Sequence, residues 1–462
     1  MLIAIFLLGT LLRILATSQH DFWYDEAFTY FVSKLPLKDL LTVTQSDANP
    51  PLYYILMHYV IALGKGEIIL RLPSLLAGIA TIILTFSLVN KFINKYAALP
   101  AAAFVSLSPL TIYLSTEARP HSLGIFFATL VVFTFLSLIK RPTLPNSGLF
   151  IGATAIGLYT HYYIGLLLIP FTFILVIKNG SLLSLKRWFI LVLLCSAALL
   201  PWTITTLGAS HNKCWCPRTV VSLPASLVSP VASGVGMVTL RTFPELPKAK
   251  FLFLTLTSLL TLIYFVKGTN KSLFLTATYF GPLLIMSTIG IFTNIFSPKA
   301  FSIFSPIYLS ILALGVHSSS HKKLLIPILL LFLGTISIWQ SQDGFFKGDR
   351  LKLTYGLLKT KDIPIIHTSA TTYYPLKYYT GDNGQNFLIG ENPLNPSTVN
   401  YIEGQRLQTI PQTDTMWVID NNRWDKTGQK SSEAKANLLT TYNIDSTYQF
   451  DSITVSYLKR KN

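Results

Sequence analysis

Residues 68–89 read IILRLPSLLAGIATIILTFSLV. Arg71 is the only charge in these 22 residues. A helix needs roughly 20 apolar residues to cross a hydrocarbon core, so this stretch reads as a membrane span. Working outward from it, about ten further runs show the same pattern. They lie at 1–17, 97–114, 121–139, 147–160, 162–177, 188–205, 251–266, 273–290, 300–316 and 324–340. The first has neither a basic leader nor a clear small-residue cleavage site, and is expected to be an uncleaved span rather than a signal peptide. Composition agrees with this class. Of the 462 residues, 51% are hydrophobic and 12% charged, about half the charge of an ordinary soluble domain. That excludes a cytosolic enzyme and a disordered chain, and 3 Cys exclude a disulfide scaffold.

The net charge of +17 is unevenly distributed. Residues 1–340 hold 8 of the 20 acids and 23 of the 37 basic residues. The tail, 341–462, holds the other 12 acids and 14 basic residues, which is an ordinary soluble balance. Two domains are therefore expected: a membrane domain at 1–340 and an α/β domain at 341–462. Alternate short loops carry Lys91 and Lys95, Lys140 and Arg141, Lys178, Lys186 and Arg187, Lys267 and Lys271, and Lys322 and Lys323, with no acid among them. Positive loops stay in the cytoplasm. The N-terminus is then inside a plasma membrane, and the loop at 18–67, the loop at 206–250 and the tail are outside. A charge laid out this way marks topology and gives no reason to expect nucleic acid as a partner.

All eight acids of the membrane domain fall on the outer side: Asp21, Asp25, Glu26, Asp39, Asp47, Glu67, Glu117 and Glu245. Six lie in the loop 18–67. Acids contribute little to topology, whereas ionisable residues at membrane depth are functional candidates. In the same loop Phe28, Phe31, Val32 and Leu35, and then Leu52, Ile55, Leu56 and Tyr59, recur at helical spacing. Both sets are expected as amphipathic helices lying in the interface.

The order of motifs along the first 180 residues carries more than any one of them. Asp25-Glu26 is followed by Asn49-Pro50-Pro51-Leu52-Tyr53-Tyr54, Glu67 with Arg71-Leu72-Pro73-Ser74, Glu117-Ala118-Arg119-Pro120-His121, and Thr160-His161-Tyr162. This series resembles the glycosyltransferase family 39 type of membrane enzyme, which includes protein O-mannosyltransferases and lipid A aminoarabinose transferases. The resemblance implies a GT-C-type bundle, here of about 11 transmembrane helices. It also implies a reaction: inverting transfer of a sugar from a polyprenyl-phosphate donor to a hydroxyl of a protein, lipid or glycan acceptor.

By that resemblance Asp25 is the base that takes the acceptor proton, a task that suits a carboxylate. The structural alternative is a helix cap, where Asp is favoured. Glu26 either orients Asp25 or binds acceptor or sugar. Cations are needed at the lipid phosphate, and Arg119, Lys299 and Arg71 are the candidates; all three also suit interfacial snorkelling. Arg71 equally suits a pair with Glu67 one turn earlier. Lys299, in Ser297-Pro298-Lys299, stands where family members often carry Arg, and offers a point charge instead of a fork. Asp47, Asn49, Tyr53, Glu117, His121 and His161 are further substrate-binding candidates. No metal is expected as a requirement, although Asp25, Asp47 and Glu117 are the acids that would hold one. Membrane lipids are the remaining expected partner.

Other features are less specific. Arg13 is a charge inside the first span. Cys214 and Cys216 stand three and five residues after His211, a spacing that matches no common zinc pattern. No glycine-rich nucleotide loop appears. In the tail, 363–369, 415–420 and 447–458 read as strands, 430–442 as a helix and Gly381–Gly384 as a turn. Tyr373, Tyr374, Tyr378 and Tyr379 are expected either to bind sugar or to pack on the membrane surface. A transporter or flippase is the main rival, but should place ionisable residues at mid-membrane within paired repeats. A non-catalytic envelope protein gives no reason for six acids in one membrane loop.

Overall fold

The computed structural model describes residues 1–177, 183–209, 270–293, 297–323, 325–330, 350–358, 363–381, 385–389, 392, 394, 396–403, 411–421 and 429–461. The expected span 251–266, most of 324–340, Cys214, Cys216, His211, Glu245 and the turn 382–384 lie outside them. In the membrane domain α1 (Leu2–Thr17) is followed by three short helices of the first loop, α2 (Tyr24–Ser33), α3 (Leu37–Thr44) and α4 (Leu52–Val60). Then come α5 (Glu67–Leu88), α6 (Ala98–Leu107), α7 (Pro109–Ser115), α8 (His121–Lys140), α9 (Leu144–Thr160), α10 (Leu168–Ile177) and α11 (Leu185–Thr206), with α12 (Asn270–Phe292), α13 (Pro298–Phe301) and α14 (Ser305–Ser318). Five described helical segments are long and apolar enough to cross a membrane, and α6 with α7 makes a sixth span bent by 58°. The first loop holds one more helix, α3, than its periodicity indicated.

The bend in the α6–α7 span follows from Pro109. It has no N–H, so the carbonyl of Val105 loses its helical donor. Arg13 replaces it: its guanidinium donates to Val105 O at 3.1 Å and to Ser106 O at 2.9 Å, and to Thr111 Oγ1 at 3.0 Å. The close approach requires Gly9, where a Cβ would stand 2.1 Å from Ser106 Oγ. The buried charge of the first span is thus held by carbonyls at a broken helix.

Among the described residues, the basic loops around Lys95, Arg141, Arg187 and Lys322 lie at the ends of α5, α8, α11 and α14 that point away from the first loop. Arg187 at the start of α11 donates to Ser147 Oγ at 2.8 Å, beside the 140–143 turn. Tyr96 stacks on His317 at 5.8 Å, which brings the loop after α5 to the end of α14. Asp21, Asp25, Glu26, Glu67 and Glu117 lie at the opposite end.

The tail contains α15 (Leu351–Leu358), β1 (Ile365–His367), α16 (Ala370–Thr380), β2 (Asn386–Leu388), α17 (Pro396–Glu403), β3 (Thr415–Asn421), α18 (Gln429–Thr441), β4 (Tyr442–Phe450) and β5 (Ile453–Arg460). The sheet order is β2-β1-β3-β5-β4, parallel across the first three strands and antiparallel across the last three. Side chains alternate across it. Ile365, Trp417, Ile419 and Val455 pack on α15 and Leu376 of α16, whereas Ile366, Met416, Val418 and Leu458 pack towards Leu438 and Leu439 of α18.

The four tyrosines of α16 have a different role from either expected one: they dock the tail on the first loop. Tyr378 stacks on Phe22 at 4.3 Å and meets Tyr30 edge-on at 5.0 Å, and Tyr374 meets Tyr24 at 5.9 Å. Tyr373 and Tyr374 are buried in that layer. Aromatic pairs of this kind add stability beyond the area they bury.

Candidate active site

Arg71 organises the outer end of the bundle. It is fully buried on α5. Its Nε and Nη2 grip Glu26 Oε1 and Oε2 at 2.8 and 2.9 Å. Nη1 donates to the carbonyls of Thr17 at 2.7 Å and His20 at 3.1 Å, and Nη2 to that of Asp21 at 3.2 Å. These carbonyls close and follow α1, where helical donors have run out. Glu67 Oε2 adds a further contact at 3.3 Å, the i, i+4 pair expected from sequence. Every N–H of Arg71 is therefore directed at this chain's own groups.

Glu26 completes the clamp. Besides the two Arg71 bonds, its Oε1 accepts from Ala118 N at 2.9 Å and its Oε2 from Trp23 N at 3.4 Å. The last contact caps the backbone N–H of Trp23, the N-cap residue of α2. The capping role weighed for Asp25 thus falls to Glu26. Adjacent helical residues diverge by about 100°, so anchoring Glu26 inward turns Asp25 towards the opening, where its side chain keeps 27% of its surface exposed.

Lys299, at the start of α13, meets Asp25 there. Its Nζ stands 3.3 Å from Asp25 Oδ2 and 3.1 Å from Glu117 Oε2, and 4.7 Å over the Trp23 ring. Glu117 is fully buried. Two carboxylates 92 residues apart in sequence thus share one ammonium.

Arg119 lies two residues on, in the turn before α8. Nη1 donates to Tyr54 OH at 3.1 Å and Thr29 Oγ1 at 3.3 Å. Tyr54 OH in turn donates to Asp47 Oδ2, which also accepts from Asn49 Nδ2 at 3.3 Å. Burial opposes the charge on Arg119, but Tyr54, Asp25 and Asp47 outweigh it and hold the guanidinium more firmly charged than usual. Burial raises the Tyr54 hydroxyl well above its ordinary range, with Arg119 opposing and Asp47 adding to the rise, so it remains a donor.

His121 and His161 are buried with ring centroids 5.9 Å apart. Among the described residues Nδ1 of His121, Nε2 of His161 and Nε of Arg119 are buried polar atoms without a hydrogen-bond partner. Buried polar groups are normally satisfied, so these three on Arg119, on His121 two residues later and on the adjacent His161 ring mark a candidate site. Tyr53 differs: it is buried with its hydroxyl 2.8 Å from Ser74 Oγ, tying α4 to α5. Thr29, Trp23 and Tyr54 complete the site, although only Tyr54 stood in one of the sequence motifs and none of the three was a binding candidate. Thr29 lies four residues after Asp25, on the same helical face, and that spacing was available in the sequence.

The described residues contain no group of three His, Cys, Asp or Glu placed to hold a metal ion. The space between Asp25 and Glu117 is occupied by the Lys299 ammonium.

A bundle of apolar spans with a carboxylate-bearing first loop at one end and a small α/β domain docked over it is the GT-C-type fold expected from the sequence. Residues 48–204 match the family described as dolichyl-phosphate-mannose-protein mannosyltransferase. The fold is similar to the apo crystal structure of ArnT from Cupriavidus metallidurans, at TM-score 0.63 and 10% identity, over 98% of this chain and 97% of that one. The same protein bound to undecaprenyl phosphate superposes at TM-score 0.60 and 11% identity, over 99% and 97%. A comparison with curated proteins gave no match. The resemblance read from the sequence is borne out, over 48–204 in sequence and over nearly the whole chain in fold.

Proposed function

We propose that this protein moves a sugar from a polyprenyl-phosphate carrier to an acceptor hydroxyl, with inversion, at the outer face of the plasma membrane. The observation that carries the reading is the Lys299 ammonium held between Asp25 and Glu117, beside three buried polar atoms that lack partners. A lipid phosphate competes with Asp25 for Lys299. A carboxylate released from an ammonium becomes a better proton acceptor. The acceptor oxygen then attacks the anomeric carbon from the face opposite the phosphate. Its proton passes to Asp25, the bond from the anomeric carbon to the phosphate oxygen breaks, and the lipid phosphate leaves with that electron pair. Lys299 and the free Nε–H of Arg119 stabilise the developing charge.

In this reading Glu117 carries Lys299, and Thr29, Tyr54, Asp47 and Asn49 carry Arg119. His121 and His161 face the sugar. Arg71 serves Glu26 and not the phosphate, and Tyr53 is structural. No metal is required, because an ammonium already bridges the two carboxylates. The outward orientation is supported by the basic loops at the opposite end of the bundle. Replacing Asp25 by Asn should abolish transfer in membranes of a deletion strain while leaving insertion intact; an active variant would overturn the assignment. Mass spectrometry of glycolipids and glycoproteins in that strain identifies the acceptor, and an unchanged glycome would count against transfer altogether.

A further inference from the structure

A cleft of about 740 Å³ opens beside the first loop, between the end of α2, the start of α5 and the α15–α16 face of the tail. Four lysines line it: Lys34, Lys65, Lys352 and Lys377, against the single acid Glu67. Two of the four are committed. Lys377 pairs with Glu403, and Lys352 with Glu67 at 2.9 Å. Lys34 and Lys65 are exposed and make no ion pair among the described residues. The Lys34 ammonium stands 5.4 Å over the Tyr30 ring. Glu67 is itself compensated by Arg71, Lys352 and the Tyr379 hydroxyl, which donates to it at 2.7 Å. The cleft is therefore strongly positive.

One wall is apolar and continuous with the side of the bundle. Ile68 lines the cleft in the first turn of α5, a helix long and apolar enough to cross the membrane, and is 59% exposed. Leu63, just before it, is 71% exposed. The lysines thus stand at the depth where the apolar part of the span begins. A ligand that satisfies both surfaces has an anionic head and an acyl tail.

We infer that this cleft seats the phosphate headgroup of an anionic glycerophospholipid from the surrounding leaflet, with Lys34 and Lys65 as its principal contacts. Asp25, Glu117 and Lys299 do not line it. The buried Arg71–Glu26 pair stands behind Glu67, on the inner side. A headgroup held here is screened from the base, so the site anchors a lipid and does not present an acceptor. The inference is independent of the transfer reaction, and its test reads binding alone.

The test is native mass spectrometry of the full chain in detergent, titrated with phosphatidylglycerol and, in parallel, phosphatidylcholine. The wild type should retain phosphatidylglycerol preferentially. A Lys34→Gln, Lys65→Gln double variant should bind it about 30-fold more weakly, from the usual worth of two lysines at a lipid surface. Lys38→Gln, an exposed lysine of α3 that does not line the cleft, should bind as the wild type does, and so should Asp25→Asn. Equal retention of the two lipids, or undiminished binding by the double variant while it stays monodisperse, would overturn the inference. So would complete displacement of phosphatidylglycerol by inorganic phosphate at equal concentration, which would make the cleft a site for free anions.

Discussion

Replacing Glu26 by Gln tests the clamp that aims the site. Gln keeps the size of the side chain but removes its charge. Its amide also turns a donor towards either Arg71 or Ala118 N, both of which are donors themselves. Arg71 then stays fully buried with Glu67 as its carboxylate partner, 3.3 Å away. Removing one member of a buried pair costs about 3–5 kcal/mol. Glu67 places this case near the lower end, at about 3 kcal/mol. For 462 residues at about 2.1 cal/mol/K each, the unfolding entropy is on the order of 1 kcal/mol/K, so the midpoint should drop by about 3 °C. The assay is thermal unfolding of purified protein in detergent at one fixed scan rate, beside Asp25→Asn. Asp25 is partly exposed in its pair with Lys299, and losing such a pair costs about 0–1 kcal/mol, so its midpoint should move by no more than about 1 °C. Transfer should fall in both variants, for different reasons. A Glu26→Gln variant with unchanged midpoint and activity would refute the clamp. A large drop for Asp25→Asn would show that Asp25 is structural after all.

Other outcomes follow from the same geometry. Lys299→Met should slow transfer by about 100-fold, the usual effect of deleting one preorganised donor at a developing anion, with Lys299→Arg retaining part of the rate; steady-state transfer measurements on the two variants check it. Transfer should survive chelation of divalent ions, and loss of activity in chelator restored by one metal would contradict the ammonium-bridged site. In the tail, burial lowers His367 from 6.5 to about 4, against a smaller opposing effect of the hydrogen bond its Nε2–H donates to Asn386 Oδ1 at 3.0 Å. The unfolded state then binds the proton first as pH falls. Stability from His367 is complete above about pH 6.5 and is lost between there and about pH 4, by at most about 3 kcal/mol. Unfolding followed from pH 7 to 5 should therefore be less pH-dependent in His367→Gln than in the wild type.

Local sequence was sufficient wherever one segment carries its own signal. Runs such as 68–89 became helices because hydrocarbon leaves backbone polar groups no partner but each other. Strands β1 and β3 were visible as short buried apolar runs and β5 within 447–458, and helix α18 was visible too. The short strand β2 was not, because three residues carry too little pattern. The acids of the first loop were legible through their scarcity elsewhere, and Arg71 and Glu67 through their i, i+4 spacing.

Assignment of charge to charge was a tertiary decision. Spacing offered Arg71 its neighbour Glu67, but the closer partner is Glu26, 45 residues away. Lys299 reaches Asp25 across 274 positions, and Arg13 serves carbonyls that exist only because another helix breaks at Pro109. The α16 tyrosines pack on α2 for the same kind of reason: their apolar rings had several possible partners, and only the docked tail selected one. Hydrophobic periodicity is a property of one segment, whereas a buried charge is stable only beside groups that the whole fold brings to it. The sequence by itself marked the apolar helical runs, the change of composition at the tail and the acid-rich first loop. Only the tertiary structure decided that Glu26 is the anchor and Asp25 the carboxylate left facing the opening.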